Sequence, residues 1–465
     1  MAEKEVNMKT DTIAAISTPL NSSGIGIVRM SGNDAVMIAD KVFRKKGNKK
    51  LSDAASHTIH YGHIWDETGM IDEVLVMLMR GPKTFTAEDT VEINCHGGVY
   101  VMKRVLHALL RNGAVMATPG EFTKRAFLNG RIDLSQAEAV MDLIQSQNSY
   151  AMEASLSQLG GEISTVIREL REKIIFEIAY IESALDDPEH ISLEDYGDNL
   201  REKVSRLLIT CEKLKSSFKN GRIIREGINT VILGRPNAGK SSVMNRMLGE
   251  ERAIVTDIAG TTRDTLEEAV NLDGFTLNMI DTAGIHETED KVEKIGIERA
   301  LSSAQKADLI LYIIDSTEGV SAEDIDLLRK LKNKQIILLW NKTDVSSGKE
   351  LNRDILTNFV SQIINFSAIT GEGLSELIDL LKQMFYDGDI SVKHELYITN
   401  ERHYDALVQT IDSLKLVIDS IDQGLPEDFY SIDMMNAYSS LGLIIGESVE
   451  DDLVNEIFAK FCMGK

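Results

Sequence analysis

The sequence predicts a multidomain chain: an N-terminal α+β domain, then an all-α helical domain into which a separate α/β domain is inserted. Three observations support this fold class. Short strands around one helix fill residues 10–125, apolar residues at helical spacing fill 128–224 and return after 389, and a strand–loop–helix pattern starts at 229. We therefore predict domain segments 1–127, 128–224, 225–388 and 389–465. A separate C-terminal helical hairpin is the alternative to one divided helical domain.

The composition is typical of a soluble globular protein and predicts a cytoplasmic location without membrane contact. Its 465 residues are 43% hydrophobic, but no apolar run approaches the ~18 residues of a membrane span. The polar N-terminus does not resemble a signal peptide. Three widely spaced cysteines, Cys95, Cys211 and Cys462, imply no disulfide framework.

The net charge of −23 argues against bulk electrostatic binding to nucleic acid or to an anionic membrane. Any RNA contact would therefore need a local basic patch. The densest candidate is the K-V-F-R-K-K-G-N-K-K segment at 41–50. A solvated loop is the simpler interpretation of that segment.

The N-terminal α+β segment reads as short strands and one helix. Strands are predicted at 13–17, 25–30, 73–79 and 90–95, and an amphipathic helix at 99–111 ends at Asn112-Gly113. Ser135-Gln136-Ala137-Glu138 predicts a capping box that opens the next helix, through about 147.

The following helical segments are predicted from apolar spacing. Steps of three and four run from Ile163 to Leu185 and from Leu200 to Phe218, which places Cys211 in a core. The same spacing returns at 407–421 and 453–461. Phe458 and Phe461 are predicted to anchor the tail, where Cys462 is either a packed cysteine or a nucleophile.

A phosphate-binding loop is predicted at 234–241, where G-R-P-N-A-G-K-S fits the pattern GxxxxGK[ST]. A buried strand at 229–233 and a helix from 242 supply the context that this loop needs. Its N–H groups would cradle the β-phosphate, Lys240 would neutralise phosphate oxygens, and Ser241 would bind magnesium. Alone, the pattern also fits an ordinary glycine-rich turn.

Four more motifs follow in the order that a GTPase needs. In G-T-T-R-D at 260–264, a threonine can close over magnesium and the γ-phosphate, and D-T-A-G at 281–284 can hold magnesium through water. Asp344, in N-K-T-D at 341–344, can accept two hydrogen bonds from a guanine edge that adenine lacks. Ser367-Ala368 would supply an N–H to the guanine O6. Together the five motifs predict a Ras-like P-loop GTPase domain.

Two details of this domain bear on catalysis. Ras-like enzymes carry a glutamine after the DxxG motif, which orients the attacking water. Here that position is Ile285, so another group must act. The loop also carries Asn237, whose carbonyl oxygen can coordinate a monovalent cation beside the phosphates. From the residues alone, Asn237 equally well braces its own loop.

Motifs along nearly the whole chain carry a family resemblance. They include G-I-V-R-M-S-G at 26–32, P-G-E-F-T-K-R-A-F-L-N-G at 119–130, D-L-S-Q-A-E-A at 133–139, D-I-A-G-T-T-R-D at 257–264 and F-C-M-G-K at 461–465. With the phosphate loop, they resemble the MnmE (TrmE) family of tRNA modification GTPases. The GTPase motifs alone would also fit Era- or Der-like ribosome-assembly GTPases. Era-like proteins carry an RNA-binding KH module, which is not visible in the acidic, helical 389–465.

The resemblance implies a homodimer joined through its N-terminal domains. It implies a potassium-dependent GTPase whose two GTPase domains meet during hydrolysis. It also implies an FAD-containing partner, MnmG (GidA), in a heterotetramer or larger complex. Together they would add an aminomethyl or carboxymethylaminomethyl group to C5 of the wobble uridine (position 34) of certain tRNAs. The carbon would come from a tetrahydrofolate derivative, 5,10-methylene or 5-formyl, bound by the N-terminal domain.

The resemblance also assigns individual residues. Ser241 and Thr262 match magnesium ligands, and Glu293 matches the glutamate that positions the attacking water. One departure is His286, where relatives often have arginine. Asn237, Thr256, Ile258 and Thr261 match the potassium site, and Arg29, Glu92, Arg131 and Lys465 match the folate site. The GTP-binding set is Asn237, Ala238, Gly239, Lys240, Ser241, Ser242, Thr256, Asp257, Ile258, Ala259, Gly260, Thr261, Thr262, Asp281, Thr282, Ala283, Gly284, Asn341, Lys342, Asp344, Ser367 and Ala368.

Overall fold

The computed structural model of the chain describes residues 11–47, 49–193, 196–250, 268–280, 301–345, 356–385, 396–447, 451–459, 461 and 464. The chain divides into two compact units. Unit 1 comprises residues 1–141, 164–171 and 441–465, and unit 2 comprises 142–163 and 172–440.

Unit 1 is built on a seven-stranded sheet with the order β3-β4-β5-β6-β2-β1-β7. Neighbouring strands are antiparallel, except that β7 pairs parallel with β1. One sheet face buries an apolar core against two helices, and Val28, Met30 and Ile93 lie at its centre. The strands are β1 Ile13–Ile16, β2 Ser23–Ser31, β3 Phe43–Arg44, β4 Thr58–Asp66, β5 Gly69–Met79, β6 Thr90–Gly97 and β7 Val115–Met116, and the helices are α1 Ala35–Val42 and α2 Val99–Arg111.

Further helices of unit 1 are α3 Glu121–Leu128, α4 Leu134–Gln145 and α14 Asp451–Ala459. The predicted capping box at Ser135 was wrong by two residues. Asp133 accepts from the Gln136 N–H at 3.0 Å, and the Gln136 side chain accepts from the Asp133 N–H at 3.0 Å. Asp133 can cap as well as serine, because its side-chain oxygen reaches the same donor. Phe458 and Phe461 are buried, which confirms the predicted apolar anchor of the tail.

Unit 2 contains a six-stranded sheet with the order β13-β12-β11-β8-β10-β9. Every pairing is parallel except β9 with β10. The central strands β11 and β12 are buried along their whole length and almost entirely apolar, because both faces of the sheet are covered. The elements are β8 Ile228–Gly234, α9 Lys240–Glu250, β9 Glu268–Leu272, β10 Phe275–Met279, β11 Leu309–Asp315, α10 Ala322–Lys330, β12 Ile336–Asn341, β13 Gln362–Asn365 and α11 Leu374–Phe385.

Helices α6 Glu162–Asp186, α7 Tyr196–Ser216 and α12 Glu401–Asp422 follow the predicted apolar spacing. In α7, Cys211 is buried, and burial raises the pKa of its thiol to about 12, so the prediction of a core residue is confirmed. Helices from both sides of the α/β segment meet within unit 2: Arg201 pairs with Asp422 at 2.9 Å, and Phe218 stacks on Tyr404. The other helices are α5 Ser149–Leu159, α8 Phe218–Glu226 and α13 Glu427–Ile445. Helices α4, α6 and α13 each include residues of both units.

The β9–β10 hairpin packs on α5 within unit 2. Asn148, the N-cap of α5, is buried and donates to the Thr276 hydroxyl at 3.1 Å. At the hairpin turn, Gly274 has φ +95°, and a Cβ built there would lie 2.6 Å from the Tyr150 ring. The turn therefore needs glycine for its backbone and for its contact with the helix.

We predict that Gly274→Ala lowers the free energy of unfolding more than Gly424→Ala does. Gly424, after α12, also has positive φ, +64°, but a Cβ there meets open space. Strain alone should cost about 1 kcal/mol at Gly424, whereas overpacking at Gly274 should raise the loss to about 2–4 kcal/mol. Denaturant unfolding measures the loss in both variants, and Tyr150→Ala should remove most of the excess at Gly274. Equal losses in the two variants would show that the contact is unimportant.

Candidate GTP-binding site

The phosphate loop lies between the end of β8 and the start of α9, as the motif requires. Gly234 has φ +148°, and a Cβ there would lie 2.3 Å from the Ile313 carbonyl oxygen. Gly239 has φ +98°, and a Cβ there would lie 2.3 Å from the Asn341 side-chain nitrogen. Glycine is therefore required at both positions, because a side chain would collide with the neighbouring atom. Between them, Asn237 has φ +62° in the left-handed region, which asparagine tolerates better than most residues.

Lys240 lies folded over this loop. Its ammonium donates to the carbonyl oxygens of Gly234 and Arg235 at 3.0 and 2.9 Å. Burial lowers the pKa of Lys240, because its charge is partly removed from water. A phosphate group would supply a full opposite charge at this point. Ser241 and Ser242 follow in the first turn of α9 and are exposed, so the Ser241 hydroxyl is accessible to a metal ion.

The side chain of Asn341 joins the phosphate loop to the loop after β13. It is buried, with 1% exposure. Its Nδ2 donates to the Ala238 carbonyl oxygen at 2.9 Å, and its Oδ1 accepts from the Ala368 N–H at 3.2 Å. Its own carbonyl oxygen accepts from Ser316 N–H at 2.9 Å. One carboxamide therefore sets the spacing between the predicted phosphate and base sites.

Asp344 is oriented by the loop that carries Ser367. The Ser367 hydroxyl donates to one Asp344 carboxylate oxygen at 2.6 Å. Thr343, beside Asp344, is held in turn: its hydroxyl lies 3.1 Å from the Phe366 carbonyl oxygen and 3.0 Å from a Glu372 carboxylate oxygen. The carboxylate that is predicted to read the base is therefore oriented by one hydrogen bond from the Ser367 hydroxyl.

Two residues of this network escaped the sequence analysis, namely Asp315 and Glu372. Lys342 donates to Asp315 at 2.6 Å and to the Asn237 carbonyl oxygen at 3.0 Å. Burial would raise the pKa of Asp315, but hydrogen bonds from Lys342 and Thr317 lower it below its usual value. Asp315 could have been found from the sequence, because it is the polar residue that ends an apolar strand.

In unit 1, two of the predicted folate residues meet. Arg29 on β2 lies opposite Glu92 on β6, and its Nε donates to Glu92 at 2.7 Å. Arg29 also donates to the Gly464 carbonyl oxygen at 3.4 Å and lies over the Phe122 ring. The C-terminal segment therefore reaches this pair, one residue before Lys465.

Arg131 lies in a different setting from that pair. Its Nε donates to the Thr84 carbonyl oxygen at 2.7 Å. It lines an open cavity of about 450 Å³ with Gln136, Arg168 and Glu447, and neither Arg29 nor Glu92 lines that cavity. The structure therefore does not join Arg131 to the other two.

Several predicted site residues lie outside the described residues. They are Thr256, Asp257, Ile258, Ala259, Gly260, Thr261, Thr262, Asp281, Thr282, Ala283, Gly284, Ile285, His286, Glu293, Cys462 and Lys465. Among described residues, no cluster of three or more histidine, cysteine, aspartate or glutamate side chains suits a metal, and no helix is long and apolar enough to cross a membrane.

Comparisons with known proteins agree with the arrangement of motifs. The model of the MnmE helical domain matches residues 134–462, and that of the GTP-binding protein TrmE N-terminus matches 12–131. The tRNA modification GTPase MnmE of Lachnoclostridium phytofermentans is 55% identical over 98% of this chain and 100% of its own length. That of Enterococcus faecalis is 48% identical over 99% and 100%.

The chain belongs to the MnmE family of tRNA modification GTPases. It is therefore a GTP hydrolase of tRNA modification, and the assembly-GTPase alternative is not favoured. A crystal structure of Era from Aquifex aeolicus is also similar, at 27% identity over 41% of this chain and 67% of that one. Its TM-score of 0.26 is too low to support an argument.

We predict that Asp344→Asn shifts base preference from guanine to xanthine. The carboxamide would replace one acceptor by a donor, which suits the xanthine 2-carbonyl in place of the guanine 2-amino group. The ratio of GDP to XDP dissociation constants should change by roughly a hundredfold or more. Ser367→Ala, which only frees Asp344 to move, should weaken GDP binding by roughly tenfold without favouring XDP. An unchanged ratio in Asp344→Asn would refute the base-reading role.

Proposed function

We propose that this GTPase is activated by potassium and works as a homodimer in modifying the wobble uridine of tRNA. The observation that carries the cation proposal is Asn237. Its side chain is exposed at the phosphate loop while its backbone is fixed in the left-handed region. Lys342 holds the Asn237 carbonyl oxygen, so the loop is positioned without using the side-chain amide. That amide oxygen remains suitable for an alkali cation beside the phosphates.

Potassium and magnesium would bind to different residues. Ser241 and Thr262 would hold magnesium, and Asn237, Thr256, Ile258 and Thr261 would hold potassium. Potassium would stabilise the charge that develops during hydrolysis, the role of an arginine finger in other GTPases. Glu293 would position the attacking water, which Ile285 cannot do. Two facing GTPase domains would then complete each site.

The N-terminal domain would bind the tetrahydrofolate derivative and the second subunit. Glu92 can accept paired hydrogen bonds from a pterin ring, and Arg29 and Lys465 suit carboxylates of its tail. For dimerisation, the sheet offers apolar side chains to solvent: Ile59, Tyr61 and Leu75 are 64%, 60% and 46% exposed. These residues lie side by side on β4 and β5, as a subunit interface requires. Arg131 would contribute to the same ligand, and Cys462 matches the C-terminal cysteine of the family, either as a packed residue or as a nucleophile.

The proposed architecture is a GTPase domain inserted into one helical domain. The contacts of α7 and α8 with α12 support it, because these helices precede and follow the GTPase segment in sequence. We retain the segments 1–127, 128–224, 225–388 and 389–465 as its boundaries. We further propose a cytoplasmic enzyme whose partner is the FAD-containing MnmG, in a heterotetramer or larger complex that takes tRNA as its substrate.

We predict that potassium raises GTP turnover over sodium by roughly tenfold or more through Asn237. Asn237→Gly is the most informative variant, because glycine adopts the same positive φ and the exchange removes only the side-chain amide. Its turnover in potassium should fall to the sodium rate, with little change in GTP affinity. Turnover in lithium, sodium, potassium and rubidium measures the effect, and Asn333→Gly, the same exchange at an exposed turn of the domain, is the control. Potassium stimulation that survives in Asn237→Gly would contradict the assignment.

We predict that Glu92→Gln weakens binding of 5-formyltetrahydrofolate by roughly 10- to 100-fold, because a carboxylate acceptor is lost. Glutamine can still accept from Arg29, so the strand pair should remain intact. Calorimetry on the full chain measures the affinity. Glu73→Gln, at an exposed position of the same sheet, is the control. Equal affinities of wild type and Glu92→Gln would show that this pair is structural.

The function as a whole is tested by tRNA nucleoside analysis in a deletion strain. Loss of the C5 group from wobble uridine, restored by the wild-type gene and not by Lys240→Ala, is the expected result. Fully modified tRNA in the deletion strain would overturn the proposal and favour an assembly role.

A further inference from the structure

A cluster of cations lies at one edge of the unit 1 sheet. It consists of Arg44, Lys45, Lys46, Lys49 and Lys50, which we call the basic edge. Arg44 ends β3, the edge strand, and the four lysines follow in the loop. All are exposed except Lys45, which is half-buried. No acidic residue interrupts 41–52, although acidic residues outnumber basic ones 73 to 50 in the whole chain.

The cations of the basic edge are not neutralised by neighbouring carboxylates. Among the described residues, none of the five takes part in an ion pair, whereas Arg80 and Arg104 nearby do. Asp40 is engaged otherwise: its carboxylate accepts from the N–H groups of Leu51 and Ser52 and so closes the loop. Burial and then the charge of Lys45 lower the pKa of His60, in keeping with excess positive potential there.

Planar side chains adjoin the basic edge. The Arg44 guanidinium lies over the Trp65 ring, 4.8 Å from its centroid. Arg44 pairs across the strands with His63, whose ring lies 6.0 Å from that of Tyr61. His63 and Trp65 alternate along β4 and so share one sheet face with Arg44, whereas Tyr61, farther along this face, lies in the patch proposed for dimerisation. Lysines beside a row of planar groups suit phosphates and unstacked bases together.

We propose that the basic edge binds RNA. Its lysines would contact phosphates, and the Arg44 guanidinium, held flat by Trp65, would stack on an unpaired base. The choice of tRNA as the ligand rests on the proposed function. An anionic membrane or an acidic peptide would use the lysines but would have no use for the planar row, so RNA fits both features.

The test is binding of unmodified tRNA to the full chain across a series of potassium chloride concentrations. The triple variant Lys45→Gln, Lys46→Gln, Lys49→Gln should reduce the slope of log affinity against log salt by about 2, and raise Kd by roughly tenfold or more. The matched control removes the same charge elsewhere: Lys213→Gln, Lys219→Gln, Lys332→Gln should change neither quantity. Arg44→Lys keeps the positive charge but removes the planar guanidinium. Kd should therefore rise roughly fivefold or more, while the slope of log affinity against log salt stays unchanged.

Three results would overturn the RNA contact. The first is a failure of specific binding: either the wild type shows no measurable tRNA binding at low salt, or the two triple variants lose the same amount of tRNA affinity. The second is dissociation of the dimer in the basic-edge triple, seen by light scattering, which would assign the surface to a second copy of the chain. The third is loss of GTP turnover in that triple, which would assign it a structural role. Failure of the proposed function is distinct, because it appears as unchanged wobble uridine in the deletion strain.

Discussion

The GTP-binding half of this protein depends on one buried side chain, the carboxamide of Asn341. Its nitrogen holds a carbonyl of the phosphate loop, and its oxygen holds the N–H of Ala368 in the loop that follows β13. Both polar atoms of a nearly inaccessible group are therefore satisfied, and removal of either partner would leave an unpaired buried group. Gly239 makes this possible, because any side chain there would occupy the space of the carboxamide.

The same domain contains further contacts between these loops. Lys342 and Asn237 both have left-handed backbones, and the Lys342 ammonium donates to the Asn237 carbonyl oxygen. Residues in this region carry strain that surrounding contacts must offset. The Ser367 hydroxyl donates to the Asp344 carboxylate, and the Asn237 side chain is exposed. Under the proposed function, base recognition would use residues of one chain, while charge stabilisation during hydrolysis would come from a cation and a second GTPase domain.

Parts of the fold followed from local sequence, and others did not. The spacing of Ile163 to Ile181 predicted α6 because an amphipathic helix shows its period directly. Helix α13 was missed because apolar residues lie on both of its faces: Met434, Leu441 and Ile444 are buried, whereas Ile432 and Met435 are exposed, which hides the period. Strand β4 was missed because His60, Gly62 and His63 break its alternation.

The site shows the same division. Motifs predicted Lys240, Asn341 and Asp344 because each chemical role needs one residue type at one spacing. Glu372 could not be predicted, since its contact with Thr343 crosses 29 positions and depends on how two loops meet. Arg131 matched the family pattern, yet neither Arg29 nor Glu92 lines the cavity that Arg131 lines. The family resemblance identified Arg131, but only the folded structure shows which residues surround it.

The most direct test of the central claim is a structure of the dimer with GDP and aluminium fluoride, grown in potassium. The account predicts an alkali ion bound by the Asn237 side chain beside the phosphates, with the two GTPase domains face to face. A lone subunit whose own arginine or glutamine fills that position, with no alkali ion present, would contradict it.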